Sequence, residues 1–195
     1  MELGCGSHKR AGFFGIDIAA GPEVDLVLDI ERNPLPFPDN SVSHIYSSHT
    51  FEHLEAPGSP IQTLKEIMRV SEHRATVEIW TPYGKSDDAL LFGHRVFYTE
   101  THWKHICYEY DDFYLGAGTV GRFGWTRTEY VLRGGILETL RSMKLPIEFA
   151  VEHMMNIALE FGVFLEVDKT VRKAQSPQYP AREFCYERGK ILTRL

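Results

Sequence analysis

The apolar residues of this chain fall in short runs bounded by glycine, proline and acidic residues, the pattern of buried strands rather than of long helices. Leu3 runs straight into Gly4-Cys5-Gly6, which reads as a strand ending in a turn where missing Cβ atoms let the backbone approach a ligand. Residues 13–18 form a second run with one acid, Asp17, at the end of the strand; residues 24–30 form a third, again ending in an acid, Asp29; residues 42–46 form a fourth. The period then changes. Ser59-Pro60-Ile61-Gln62 reads as a helix start with a capping box and proline at the first helical position, and Ile61, Leu64, Ile67 and Met68 make one core-facing stripe. Ala75, Val77 and Ile79 alternate with Thr76, Glu78 and Trp80 in a fifth strand that ends at Pro82, and residues 161–170 read as the last strand. Strands interleaved with a helical stripe predict an α/β fold.

The spacing qualifies that picture. Only about eight residues separate the first strand from the second and the second from the third, where a parallel crossover needs a dozen or more and usually a helix. At least one flanking helix is therefore expected to be missing or reduced to a turn. The first strand is also cut short by Met1, which implies either a shortened start or an edge covered by a partner, a second copy of the chain included.

With 195 residues, 43% of them apolar and 12% aromatic, the chain can bury a full core, and no linker, repeat or low-complexity run divides it. One domain over residues 1–195 is expected. No apolar run approaches a membrane span and no signal-peptide pattern opens the chain, so no membrane partner is expected. Cys5, Cys107 and Cys185 are odd in number and widely spaced, which indicates neither a disulfide framework nor a cysteine zinc site; a reduced, cytoplasmic location is the default expectation. A formal net charge of -6 argues against a polyanionic substrate, so nucleic acid is not expected as a partner.

In order along the chain stand Glu2-Leu3-Gly4-Cys5-Gly6, Gly15-Ile16-Asp17-Ile18, Asp29, Leu35-Pro36-Phe37-Pro38-Asp39-Asn40, Ser47-Ser48-His49 and Glu52-His53-Leu54. Together these segments resemble the cofactor half of the class I S-adenosylmethionine-dependent methyltransferases, whose strand-turn signatures read LELGCG, GIDI, LPFPDNS and EHL. The resemblance implies a Rossmann-like sheet, S-adenosylmethionine as cofactor and methyl transfer as the reaction. By the same resemblance Asp17 accepts from both ribose hydroxyls, Asp29 accepts from the adenine amino group and Ile30 packs on the ring. Glu2, Gly4, Cys5, Gly6, Ile18 and Ser48 complete the implied cofactor set. A dinucleotide enzyme would want a third glycine at the position of Lys9; a donor without phosphate does not. Glu52-His53-Leu54 corresponds to a structural start to the next helix. The family's turn before the fifth strand is kept in place but not in composition, as Arg69-Val70-Ser71-Glu72-His73-Arg74-Ala75.

Residues 1–83 thus read as the cofactor half and 84–195 as the substrate half. Gly93-His94-Arg95-Val96-Phe97-Tyr98-Thr99 resembles a family segment that sets a histidine over the active site, although Leu91-Phe92-Gly93 replaces the usual Asp-Pro. His94 is accordingly the first candidate for a base and His49, at the exit of the fourth strand, the second. Trp103, Tyr108, Tyr110, Phe113, Tyr114, Phe123 and Trp125 interleave with Glu109, Asp111 and Asp112, which suits a sugar, though such rings serve equally as core. The expectation is O-methylation of a small-molecule hydroxyl, a sugar or glycan first. Its rivals are a small-molecule N- or C-methyltransferase and a non-catalytic S-adenosylmethionine-binding scaffold. Mg2+ on acids such as Asp87, Asp88, Asp111 or Asp112 could polarise the hydroxyl, and His102 with His105, three residues on, could hold a metal. The last twenty residues, with Pro177 and Pro180, are expected to form a lid, an oligomer arm or a loose terminus.

Overall fold

The structure, a computed structural model, describes residues 1–55, 59–116, 121–170 and 178–193. Its centre is a sheet of eight strands in the order β3-β2-β1-β4-β5-β7-β6-β8. The strands β1 (Glu2–Leu3), β2 (Gly15–Asp17), β3 (Leu26–Val27), β4 (Val42–Ser48) and β5 (Ser71–Pro82) pair in parallel with their neighbours. β6 (Arg122–Leu132) and β7 (Ala158–Asp168) continue the sheet antiparallel, and β8 (Arg182–Cys185) closes it parallel to β6. This is the mixed α/β, Rossmann-like architecture expected.

The shortened connections are as the spacing predicts. No helix forms among residues 4–14 or 18–25, and both crossovers are turns. Gly4 and Gly6 take φ of 68° and 52°, and a Cβ on Gly4 would collide with the Thr50 side chain, so the first turn needs glycine there. The helix α1 (Ser59–Val70) makes the β4 to β5 crossover and buries Leu64, Ile67 and Met68 against the sheet, with Ile61 half-buried at its start.

Three expectations need correction. The turn at residues 69–75 does not form: α1 runs directly into β5, Ser71 donates its hydroxyl to the Ile67 carbonyl at 2.6 Å, and the extra residues are absorbed by a bulge in the β4/β5 pairing with Arg74 at φ 67°. The strand at residues 161–170 is not the last; β7 starts earlier, at Ala158, and β8 follows. The C-terminal segment is neither lid nor arm where it is described, because β8 is hydrogen-bonded to β6; residues 176, 177, 194 and 195 lie outside the described residues.

One face of the sheet carries the main core with α1, the helices α2 (Glu100–Lys104) and α3 (Asp111–Leu115), and α4 (Ile136–Met143) with α5 (Ile147–His153). Between α2 and α3 the chain makes a π-turn over His105–Glu109. The other face has a small cluster of Tyr46, Trp80, Val131 and Cys185 to which no described helix contributes. Arginines lie across it instead: Arg10 sits 3.5 Å above the Tyr46 ring, Arg127 3.7 Å above Phe164 and Arg188 4.3 Å above Trp80. Trp80 itself lies over Gly162, where a Cβ would come within 2.6 Å of the indole. No described helix is long and apolar enough to cross a membrane.

Candidate cofactor and acceptor site

Open parallel sheets bind ligands beyond the carboxyl ends of their strands, where the chain leaves the sheet. At the ends of β1, β2 and β3 lies a cavity of about 550 Å³. Its floor is the Gly4 and Gly6 turn, its sides are Asp17 with Ile18 and Asp29 with Ile30, and its far wall is His49, Thr50, His53, Leu54 and Glu55. A Cβ on Gly6 would meet no protein atom within 4 Å, so a side chain there would enter the cavity that the glycine leaves free.

Each acid is held by the chain that follows it. Asp17 accepts from the amides of Gly6 at 2.8 Å and Ala19 at 2.9 Å, one on each oxygen, tying the glycine turn to the end of β2. Asp29 accepts from the Glu31 amide at 3.0 Å and the Arg32 guanidinium at 2.9 Å. A carboxylate offers about four lone-pair sites, so both retain capacity for ligand hydroxyl or amino groups.

Other members of the expected cofactor set stand elsewhere. Glu2 is buried and accepts the Arg10 amide at 2.6 Å; it does not line the cavity. Cys5 is buried beneath the turn, and burial pushes its thiol pKa up. Ser48 is turned from the cavity and takes a hydrogen bond from Arg188 at 3.0 Å. Successive strand residues face opposite sides, so within a motif some neighbours must point away from the ligand. Thr50, Glu55, Glu31 and Arg32, which the sequence did not single out, line the cavity beside motifs that were read, and Leu54 of the Glu52-His53-Leu54 segment joins them.

His49 is not available as a base. Its ring lies 3.2 Å from Glu52 Oε1 through Nδ1 and 2.8 Å from Glu160 Oε2 through Nε2. Those two hydrogen bonds raise its pKa to about 9, and the Arg188 guanidinium also lies 3.0 Å from Nε2, so both ring nitrogens are engaged by protein groups. Burial alone would raise Glu160, but bonds from Arg188 and His49 outweigh it and hold this carboxyl at about 2.

His94 stands behind His53, with the two rings edge to face at 4.7 Å, and it does not itself line the cofactor cavity. Its Nδ1 lies 3.2 Å from the Ala89 carbonyl, and His53 Nδ1 lies 3.3 Å from that of Gly93. Beneath both is Glu52, 1% exposed, whose Oε1 faces His49 and whose Oε2 has no hydrogen-bond partner among the described residues.

A second cavity of about 410 Å³ adjoins the first and shares Leu54 and Glu55 with it. Its lining is mostly apolar, from Ile61, Leu64, Val96, Tyr98, Ile106 and Tyr114, with Arg95, His102 and His105 among them. The aromatic set expected around a sugar is not gathered there. Trp103, Phe123 and Trp125 are core residues, Tyr110 and Phe113 are exposed, Tyr108 packs against the core, and only Tyr114 of that set lines the cavity. Asp111 and Asp112 both pair with Arg122, and Asp87 accepts from Asn156 at 2.9 Å, so these acids are engaged by protein groups. His105 faces Glu109 at 3.3 Å and His102 accepts the Thr99 amide at 3.2 Å; neither belongs to a group of three metal-ligating side chains among the described residues.

Residues 2–77 match the sequence profile of a family described as a methyltransferase domain. Among solved structures, an S-adenosylmethionine-dependent methyltransferase from Archaeoglobus fulgidus superposes with TM-score 0.57 at 16% identity, over 85% of this chain and 84% of that one. The YcgJ protein of Bacillus subtilis gives 0.51 at 11% identity, over 87% and 91%. The cyclase SpnF gives 0.52 at 13% identity, over 87% and 74%. No curated protein matches the sequence significantly. A glycine turn, two strand-end acids and a cavity of about 550 Å³ thus coincide with the segment that matches the methyltransferase-domain profile, and the fold of the chain is similar to that of the S-adenosylmethionine-dependent methyltransferase from Archaeoglobus fulgidus.

Proposed function

We propose that the chain transfers the methyl group of S-adenosylmethionine to a hydroxyl oxygen of a small molecule. The observation that carries this reading is the pair of adjoining cavities: a cofactor-sized one at the strand ends and an apolar one beside it, sharing Leu54 and Glu55. In this reading Asp17 receives the ribose hydroxyls and Asp29 the adenine amino group. Gly4 and Gly6 admit the amino acid part, and Ile18 and Ile30 flank the ring.

When bound, S-adenosylmethionine supplies a methyl group activated by its sulfonium charge. The protein aligns the acceptor oxygen with that carbon, and alignment of this kind is worth several kcal/mol of barrier. In the absence of a metal ion the hydroxyl proton leaves toward His53, the histidine of the Glu52, His53 and His94 cluster that lines the cavity. His49, engaged at both ring nitrogens and flanked by Glu52 and Glu160, orients Glu52 rather than taking the proton.

A mostly apolar lining favours an acceptor with an apolar face and one reactive hydroxyl. A sugar meets that description through its C–H face, and the Glu55 and Arg95 ion pair, 2.9 Å apart on the lining, offers its remaining donors and acceptors to the other hydroxyls. The test is calorimetry with the donor and its demethylated product, followed by a methylation screen over glycosides, phenols and amines. Micromolar donor binding with methylation confined to hydroxyl acceptors is the expected result. Methylation of amines alone overturns the oxygen assignment, and donor binding with no acceptor turned over points to the scaffold reading.

A further inference from the structure

We propose that Glu52, His53 and His94 form a binding site for one divalent metal ion of the zinc class, beside the wall of the first cavity that His53 lines. Each offers one ligand atom, all within 4.8 Å of one another, and this is the one such group of three among the described residues. The hydrogen bonds show which ring nitrogens are already engaged. A backbone carbonyl can only accept, so His53 donates from Nδ1 to Gly93 and His94 from Nδ1 to Ala89, and Nε2 is the nitrogen each ring leaves for a metal ion. Metal-ligating histidines are usually fixed in this way by their other nitrogen.

The third ligand carries the independent observation. Glu52 is 1% exposed, its Oε1 is positioned by His49, and its Oε2 is buried without a donor among the described residues. A buried carboxylate oxygen left unmatched is costly unless something positive meets it. Two imidazole nitrogens and one carboxylate oxygen are the donor set of zinc sites that keep an open position for water or substrate. Mg2+ prefers an oxygen shell close to octahedral, so this site differs from the Mg2+ on surface acids considered from the sequence.

The role of the ion rests on the methyl-transfer reading above; the site does not. With the ion bound, the lone pairs of the cluster would be taken up, so an acceptor hydroxyl in the open position would lose its proton to solvent instead of to His53. The resulting alkoxide oxygen forms the new C–O bond as the S–C bond breaks, and the sulfonium becomes a neutral thioether. The ion thereby does what a free imidazole would otherwise do, with His94 as its ligand.

Co2+ is the probe, because its visible bands report coordination without any turnover. Chelator-treated protein titrated with Co2+ should develop these bands with an end point at one ion per chain, and Zn2+ should displace them. His53→Ala and His94→Ala should each weaken Co2+ at least 10-fold. His73→Ala, on a different part of the surface, should leave it at the parent value. Glu52→Gln should also weaken binding, but Glu52 is buried; His53 is exposed, so His53→Ala carries the test if the Glu52 variant does not fold. Absence of a one-to-one end point, or parent-like Co2+ affinity in both histidine variants, overturns the site. Calorimetry with S-adenosylmethionine on the same samples separates the two readings. Donor binding without a Co2+ site sinks this inference alone, whereas a Co2+ site in a chain that methylates no hydroxyl sinks the proposed role of the ion together with the oxygen assignment.

Discussion

Asp17 spends one oxygen on the Gly6 amide and the other on Ala19, so it shapes the turn as well as facing the cavity. Asp17→Ala is expected to weaken S-adenosylmethionine by about 2 kcal/mol, roughly 30-fold, through loss of charge-assisted bonds. Calorimetry checks this, and unchanged affinity would remove Asp17 from the ribose. Glu160 makes a second prediction. Its folded-state pKa of about 2 lies below the ordinary 4.5, so its stabilisation is present above pH 4.5 and is lost as pH falls through about 2. Glu160→Gln should therefore be less stable than the parent at pH 7, with the two denaturation midpoints converging near pH 2; a constant gap would show that the carboxylate does not carry the effect. Asp17 and Asp29 were legible because an acid at a strand end has few other places to point. The His49 to Glu160 pair was not: its members are 111 residues apart and meet only after β4 and β7 are placed on either side of β5.

Elements with one clear period were legible as well. The stripe on α1 and the alternation in β5 are where expected, since each buries one face against the sheet. Ile67→Ala, at a site that is 0% exposed, should cost about 2–5 kcal/mol in chemical denaturation, the range for a buried aliphatic truncated to a methyl. A loss under half a kcal/mol would mean that the helix does not press on the sheet as described. β6 was hidden for the opposite reason. Its rings Phe123, Trp125 and Tyr130 are all core, as the core alternative had it, yet they are spaced among arginines, threonines and Glu129, so no clean alternation marks the run as a strand. Arg122 explains part of this, because its charge is brought inside with Asp111 and Asp112 as partners. The missing turn before β5 was likewise invisible, as a bulge can absorb residues that a sequence pattern assigns to a loop.

Over the whole molecule the sheet is unevenly held. β4 to β7 are long and layered with helices on one face, whereas β1, β2 and β3 span two or three residues each and are joined by turns. Regions with few backbone hydrogen bonds and little cover open locally at low free energy. Amides at Gly4, Gly6 and Leu28 are therefore expected to exchange with deuterium well before those of Val77 or Val163 in the free protein, and to slow when the donor binds. Equal exchange in both parts would contradict the division. The fold was legible at this scale because the short gaps, eleven and eight residues between the strands as they form, leave no room for full crossover helices, but the arginine-covered second face was not, since no local pattern marks which side of a sheet stays bare.

Those absent crossover helices also bear on timing. In an enzyme whose ligand is enclosed by a closing element, departure of the spent cofactor often sets the turnover rate. Here the side on which the proposed reading puts the adenosine is bounded by short turns, so the demethylated product would have no helix to displace on its way out. Product inhibition should be weak, rapid-quench experiments should show no burst, and the slow step should fall at the chemistry beside Glu52 and His94 rather than at the door.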